Sequence, residues 1–174
     1  MKLSYRILQG HDVAAYRHIR LEALLNFSAN FGSTYQAEKA KPKLAFETYI
    51  EQQTPGKFIV GAFDNDVLIG ICGFAAEEGE RSRHRGTVIQ MYVQAQYSGK
   101  SVGLQLLQAV IQAAFNLPGI EQLVLGVITT NISAVKVYEK AGFTTFGVQH
   151  NYFKEDDGSY LHQQFMALYK NGYV

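Results

Sequence analysis

Val93-Gln94-Ala95-Gln96-Tyr97-Ser98-Gly99-Lys100-Ser101-Val102-Gly103-Leu104-Gln105-Leu106-Leu107 is the stretch on which the reading of this chain turns. The β-rich run Thr87 to Val93 leads into it, and an apolar-periodic helix begins at its end. A strand that passes through a short glycine loop into a helix gathers unpaired N–H groups, with the positive end of the helix dipole behind them. Such a corner is an anion site, most often for phosphate or pyrophosphate. Gly99 and Gly103 allow the close backbone approach that this requires. The loop departs from the nucleoside-triphosphate pattern, because Gln94 stands where a glycine would precede Gly99-Lys100-Ser101. Nor does it read Gly-x-Gly-x-x-Gly.

Working outward, Lys2 to Leu8 alternates as a strand does, and Asp12 is a good N-cap for a helix running to about Phe27. Ser28 to Tyr35 reads as an irregular loop or a short helix. Pro42 is placed to open a helix as its first residue, ending near Gln53 before Thr54-Pro55-Gly56. Phe58–Phe63 and Val67–Phe74 flank Asp64-Asn65-Asp66 as a hairpin, and Glu77 to Gly86 is a charged loop. After the Thr87–Val93 strand come a helix near Ser101–Asn116, a strand near Gln122–Ile128 and a helix near Ser133–Ala141. Strands near Thr144–His150 and Tyr160–Tyr169 close the chain. The order β-α-α-β-β-β-α-β-α-β-β is an α/β domain with a mixed sheet, spanning 1–174 as a single unit.

Composition narrows the classes. At 174 residues with 47% apolar content, the chain suits one domain with a substantial core. A net charge of +1 provides no field to recruit nucleic acid or an anionic membrane. No signal peptide is expected, since Met1 to Gly10 is already amphipathic and polar, and no long apolar span is read in the sequence. Cys72, the one cysteine, lies in an apolar strand and reads as a buried, inert thiol. A cytoplasmic setting without a metal site is the expectation.

Downstream of the loop, the segment from Asn131 to Phe143 carries Asn131, Ala134, Tyr138, Lys140, Gly142 and Phe143. With Val93, Gly99, Gly103, Leu104 and Leu107 upstream, the chain resembles the GCN5-related N-acetyltransferase (GNAT) superfamily. Its members carry a Val-x-Pro-x-x-Arg-Gly-x-Gly-Ile-Gly-like loop and then Asn-x-x-Ala-x-x-x-Tyr-x-Lys-x-Gly-Phe. Ala95, Ser98 and Ser101 depart from that pattern, where proline, arginine or glutamine, and glycine are usual. The two motifs cover roughly the C-terminal half.

The resemblance implies a central sheet of about seven strands flanked by about four helices, with a splayed strand pair opening a cofactor cleft. It implies acetyl-coenzyme A as cofactor, transferring acetyl to a primary amine of a small molecule, peptide or protein N-terminus within a ternary complex. The pyrophosphate would take the amides of Ser98, Gly99, Lys100, Ser101, Val102, Gly103 and Leu104. The pantetheine arm would run along Met91, Tyr92 and Val93. Asn131 would touch the cofactor while capping its helix, and Tyr138 would supply the proton that the leaving thiolate needs. Ser101 in place of glycine is expected to weaken cofactor binding. For the base, Glu78 (with Glu77) is the nearest carboxylate by sequence logic, Glu22, His150 and His162 are other options, and deprotonation through water without a dedicated base stands equal to them. The loop Arg81-Ser82-Arg83-His84-Arg85 reads as a solvated connection. A homodimer through the C-terminal strands is open to such a domain. Two other classes stay open: a non-catalytic acyl-coenzyme A sensor, motivated by Ser98 and Ser101, and a nucleotide-binding module resting on Gly99-Lys100-Ser101.

Overall fold

Val67–Ala76 is apolar with no polar alternation, as suits a strand covered on both faces, and seven of its ten residues are buried. It is β3 of a seven-stranded sheet in a computed structural model that describes residues 2–172. The other strands are β1 (Leu3–Ile7), β2 (Lys57–Asp64), β4 (Arg85–Val93), β5 (Gln122–Ile128), β6 (Thr144–Lys154) and β7 (Tyr160–Tyr169). The helices are α1 (Val13–Asn26), α2 (Tyr35–Lys39), α3 (Ala45–Gln52), α4 (Val102–Phe115) and α5 (Ile132–Lys140). Short 3₁₀ turns occupy Gly10–Asp12, Ser28–Asn30 and Ala95–Tyr97.

The strand order is β1-β2-β3-β4-β5-β7-β6. Only β4 and β5 pair in parallel, through Arg85–Gln122, Gly86–Leu123 and Thr87–Val124. Beyond Thr87 the two strands part. On one face α1 and α3 bury Tyr16, Ile19, Ala23 and Ile50 against Ile59, Phe63 and Ile71. On the other, α4 and α5 bury Val102, Leu106, Val110 and Tyr138 against Val60, Ile69, Phe74 and Leu125. Each large side chain so covered contributes about 1.5–3 kcal/mol. Cys72 is fully buried in this second core, and burial pushes its thiol pKa well up, as an inert residue requires. Among the described residues no helix is long and apolar enough to cross a membrane.

The sheet of seven strands matches the sequence reading, and three local details correct it. The segment after α1 contains a fifth helix, α2, capped by Thr34 Oγ1, which accepts the Ala37 N–H at 3.3 Å. Pro42 does not open the next helix. The Arg17 guanidinium takes the carbonyls of Lys41 (2.7 Å) and Pro42 (3.5 Å), so this segment stays a turn and α3 begins at Ala45. The Leu44 N–H there donates to Glu47 Oε2 at 2.8 Å, and Arg17 holds that carboxylate in turn.

Asp12 does not cap α1 with its side chain. Its carboxylate accepts the Gln9 N–H (2.7 Å) and both terminal nitrogens of Arg6 (2.6 and 2.9 Å), tying β1 to the start of α1. The Arg6 hydrogen bond holds the Asp12 pKa below the usual carboxylate range, against a smaller opposing effect of burial. A depressed folded-state pKa contributes stability above the unfolded value and loses it as pH falls through the folded one. Arg6 is 43% exposed, so solvent screens the pair. Asp12→Asn is therefore expected to cost about 1 kcal/mol at pH 7, with the difference from wild type closing below about pH 4. Urea melts at the two pH values check this; a gap that persists at low pH contradicts it.

Candidate active site

The departure of β4 from β5 after Thr87 leaves the β5-facing main-chain groups of Val88 through Val93 without a strand partner. The cleft so formed has a volume of about 570 Å³, and α5 and the β4–α4 loop complete its walls. A bulge shapes the β4 side. Ile71 pairs with Tyr92 and Gly73 with Ile89, so β4 carries an extra residue here, and Gln90 takes a left-handed φ of 56°. Val88, Met91 and Val93 consequently face the α4 core, whereas Ile89 and Tyr92 face the α1 core. Gln90 turns the same way as Ile89 and accepts the Tyr16 hydroxyl at 2.9 Å.

The loop at the head of the cleft is held by Tyr97, whose hydroxyl donates to Asp64 at 3.2 Å. Gly99 has φ 75°, and no atom within 4 Å would meet a Cβ there. Gln105 N makes the first bond of α4, to Ser101 O at 3.1 Å. The N–H groups of Val102, Gly103 and Leu104 therefore precede the helical ladder, and no side chain caps them. Ser98 differs from the expectation, since its N–H is already given to Ala95 O at 3.0 Å. Ser101 occupies the N-cap with φ 59°, a left-handed conformation that costs a non-glycine residue about 1–2 kcal/mol.

On the far wall, Asn131 caps α5 by accepting the Ala134 N–H at 3.3 Å. Two turns on, Tyr138 lines the cleft at 8% exposure, its ring packed edge-on against Phe143. Burial, with a smaller contribution from the nearby Cys72 thiol, pushes the phenol pKa far up, so it stays protonated through the neutral range. Met91, Tyr92, Val93, Ser98, Gly99, Ser101, Val102, Gly103, Leu104, Asn131 and Tyr138 all border this one cleft. Lys100 does not; its ammonium lies 5.3 Å from the Tyr97 ring.

Glu78 is not brought to the cleft. It sits in the β3–β4 connection at the closed end of the β4–β5 pair, its side chain 78% exposed and ion-paired with Lys57. That contact holds its pKa below the usual carboxylate range, the reverse of what a base needs. Among the described residues that line the cleft there is no aspartate, glutamate or histidine. Two carboxylates stand behind lining hydroxyls: Asp64 accepts from Tyr97, and Glu22 of α1 accepts from the Tyr92 hydroxyl (2.7 Å) and Gln94 Nε2 (2.9 Å). Burial and this contact push the Tyr92 pKa up to about 12. Phe27, Asn30 and Phe31 also line the cleft; Phe27 and Asn30 carry no signal in the sequence, because the loop after α1 has no period.

The profile of the acetyltransferase (GNAT) family matches residues 21–143. This chain belongs to that family. The GNAT match takes in the bulged strand, the β4–α4 loop and α5. An N-alpha-acetyltransferase of Sulfurisphaera tokodaii is 31% identical over 77 residues, which are 44% of this chain and 46% of that protein. A ribosomal protein bS18-alanine N-acetyltransferase of Haemophilus ducreyi is 29% identical over 106 residues, 61% of this chain and 68% of the relative. The chain thus spans under half the length of the first of these relatives. A GNAT-family acetyltransferase from Streptococcus pneumoniae shares the fold at a TM-score of 0.80 and 22% identity, over 97% of this chain and 99% of that one. So does a GNAT-superfamily phosphinothricin acetyltransferase from Sinorhizobium meliloti, solved with acetyl-CoA, at a TM-score of 0.79 and 23% identity over 97% and 89%.

Proposed function

We propose that this GNAT protein is an acetyl-coenzyme A-dependent N-acetyltransferase acting on a primary amine. The observation that carries this is the meeting, in one cleft, of an uncapped α4 N-terminus, an unpaired β4 edge and a buried, protonated phenol. The site fits the cofactor: free amides of Gly99 through Leu104 suit a diphosphate, and the strand edge from Met91 to Val93 suits an amide-bearing arm laid beside it. The bound cofactor supplies an acetyl thioester, whose C–S bond is exchanged for the C–N bond of an amide with release of free thiol. Tyr138 Oη keeps the proton that the departing sulfur requires. Asn131 holds α5, and hence Tyr138, at the cleft wall through its cap. Because no acid or imidazole of the described residues lines the cleft, the amine gives up its proton through water without a dedicated base.

The test is to mix the purified protein with acetyl-coenzyme A and a panel of primary amines and to follow free thiol. Time-dependent thiol release with an amine is expected, whereas absence of any cofactor binding by calorimetry refutes the proposal. The missing carboxylate in the cleft also motivates the second reading, an acyl-coenzyme A sensor. Tight binding without turnover on any amine supports that reading instead.

A further inference from the structure

The cleft runs through the sheet rather than along one face of it. Val102, Val137 and Tyr138 border it from the α4 side, whereas Phe27, Phe31 and Gln90 border it from the α1 side. In the function proposed above the α4 side takes the cofactor, which leaves the α1 side to the acceptor. That side offers apolar surface and neutral amides. Phe27, Phe31 and Ile89 are apolar, and the Tyr92 hydroxyl is already given to Glu22 at 2.7 Å. Asn30 and Gln90 are the other polar side chains there among the described residues. Of those residues the one charged group on the border is Lys140, at the end of α5 on the opposite side.

Gln90 is held in place. It takes a left-handed φ of 56° at the bulge, a conformation unfavourable for a residue with a Cβ. Its Oε1 accepts the Tyr16 hydroxyl at 2.9 Å, and burial pushes the Tyr16 pKa far up, so that donor stays protonated. What remains of the amide is its two Nε2 hydrogens, which bond none of the described residues. Arg20 Nη1 is the one buried side-chain nitrogen or oxygen without a partner among those residues. Gln90 Nε2 therefore keeps contact with solvent, and the opening that Gln90 borders is the cleft.

Resting on the acetyltransferase reading above, we infer that Gln90 selects the acceptor, its Nε2 donating to a neutral carbonyl oxygen next to the reacting amine. The substrate class is thus an α-amino amide, as in a small amino-acid amide or at the start of a peptide. A fixed donor left unpaired is penalised, so this bond discriminates against amines without the carbonyl as well as attracting those that have it. A carboxylate or a second ammonium in the same place gives up hydration and meets no opposite charge on that wall among the described residues.

The experiment follows thiol release from acetyl-coenzyme A with alaninamide, an alanine-initiated tripeptide amide, sec-butylamine, alanine and propylenediamine, compared as kcat/KM per free amine. Wild type is expected to favour alaninamide or the tripeptide over sec-butylamine by about 30-fold, and the faster of the two tells a small amide from a chain end. Gln90→Met, similar in length and without donors, is expected to bring that ratio close to one while the Kd for acetyl-coenzyme A stays as in wild type. Gln90→Glu keeps an oxygen for Tyr16 but loses the donor, so it lowers the ratio equally and turns preference toward propylenediamine. A ratio that survives both substitutions, or a wild-type preference for alanine or propylenediamine over alaninamide, overturns the inference, although turnover itself leaves the acetyltransferase reading standing. If both variants melt lower and every amine slows alike, Gln90 serves the fold and the inference falls too. Failure to bind acetyl-coenzyme A at all refutes the underlying function instead.

Discussion

Replacing Tyr138 by phenylalanine is expected to lower kcat for thiol release by about 100-fold while leaving the KM for acetyl-coenzyme A within a few-fold of wild type. The substitution removes one oxygen. The ring stays on α5, packed against Phe143 at 6.1 Å between centroids, so the cleft wall keeps its shape. The phenol oxygen makes no hydrogen bond to any described residue, so nothing in the folded chain is orphaned by its loss. What disappears is a proton held beside the place where sulfur must leave. A factor of 100 is about 2.7 kcal/mol of barrier, within the range of one positioned acid. The pH dependence follows from the same burial. Because the phenol pKa is raised, the wild-type rate is expected to climb with pH as the amine loses its proton, without an alkaline fall below about pH 10. Steady-state kinetics of both proteins across pH decide the matter. A variant with full kcat removes Tyr138 from the chemistry.

The parts of this fold that were legible in the sequence are those that local pattern specifies. The passage from Thr87 through Gly103 into α4 announces itself because β-branched residues, two glycines and a helical repeat fall within some twenty positions. The doubly covered strand around Ile69 and Phe74 is legible in its unbroken apolar run. What stayed hidden depends on partners far along the chain. Pro42 has the credentials of a first helical residue, yet Arg17 occupies its carbonyl from 25 positions away. Glu78 follows a strand of the right sheet, but it does so at the end where β4 and β5 are still paired and the cleft is shut. The bulge at Gln90 has no composition of its own; it is seen only once Tyr16, 74 positions earlier, is found bonded to it. Ser101 shows the same limit in backbone terms. The sequence shows a side chain where glycine is usual, and only the structure shows that Ser101 takes a left-handed φ.

Gly103→Asp is expected to raise the acetyl-coenzyme A Kd by about two orders of magnitude without lowering the melting temperature. The two effects have opposite signs because they act on the same field. Gly103 is the second residue of α4, where a carboxylate meets the positive end of the helix and contributes about 0.3–1 kcal/mol to the folded state. A Cβ there comes 3.3 Å from Met91 Cε, the free end of a flexible side chain that can give by the little required. The same carboxylate, however, takes the amides of the loop for itself and faces the incoming diphosphate. Two like charges about 5 Å apart at a protein surface repel by about 3 kcal/mol, which is the two orders of magnitude in Kd. Gly103→Asn, of equal size but neutral, separates charge from bulk and is expected to stay within about tenfold of wild type. Calorimetry with acetyl-coenzyme A and a thermal melt of each variant read both sides. If the aspartate variant binds as wild type does, the anion is held somewhere other than the start of α4, and the placement of the cofactor along β4 falls with it.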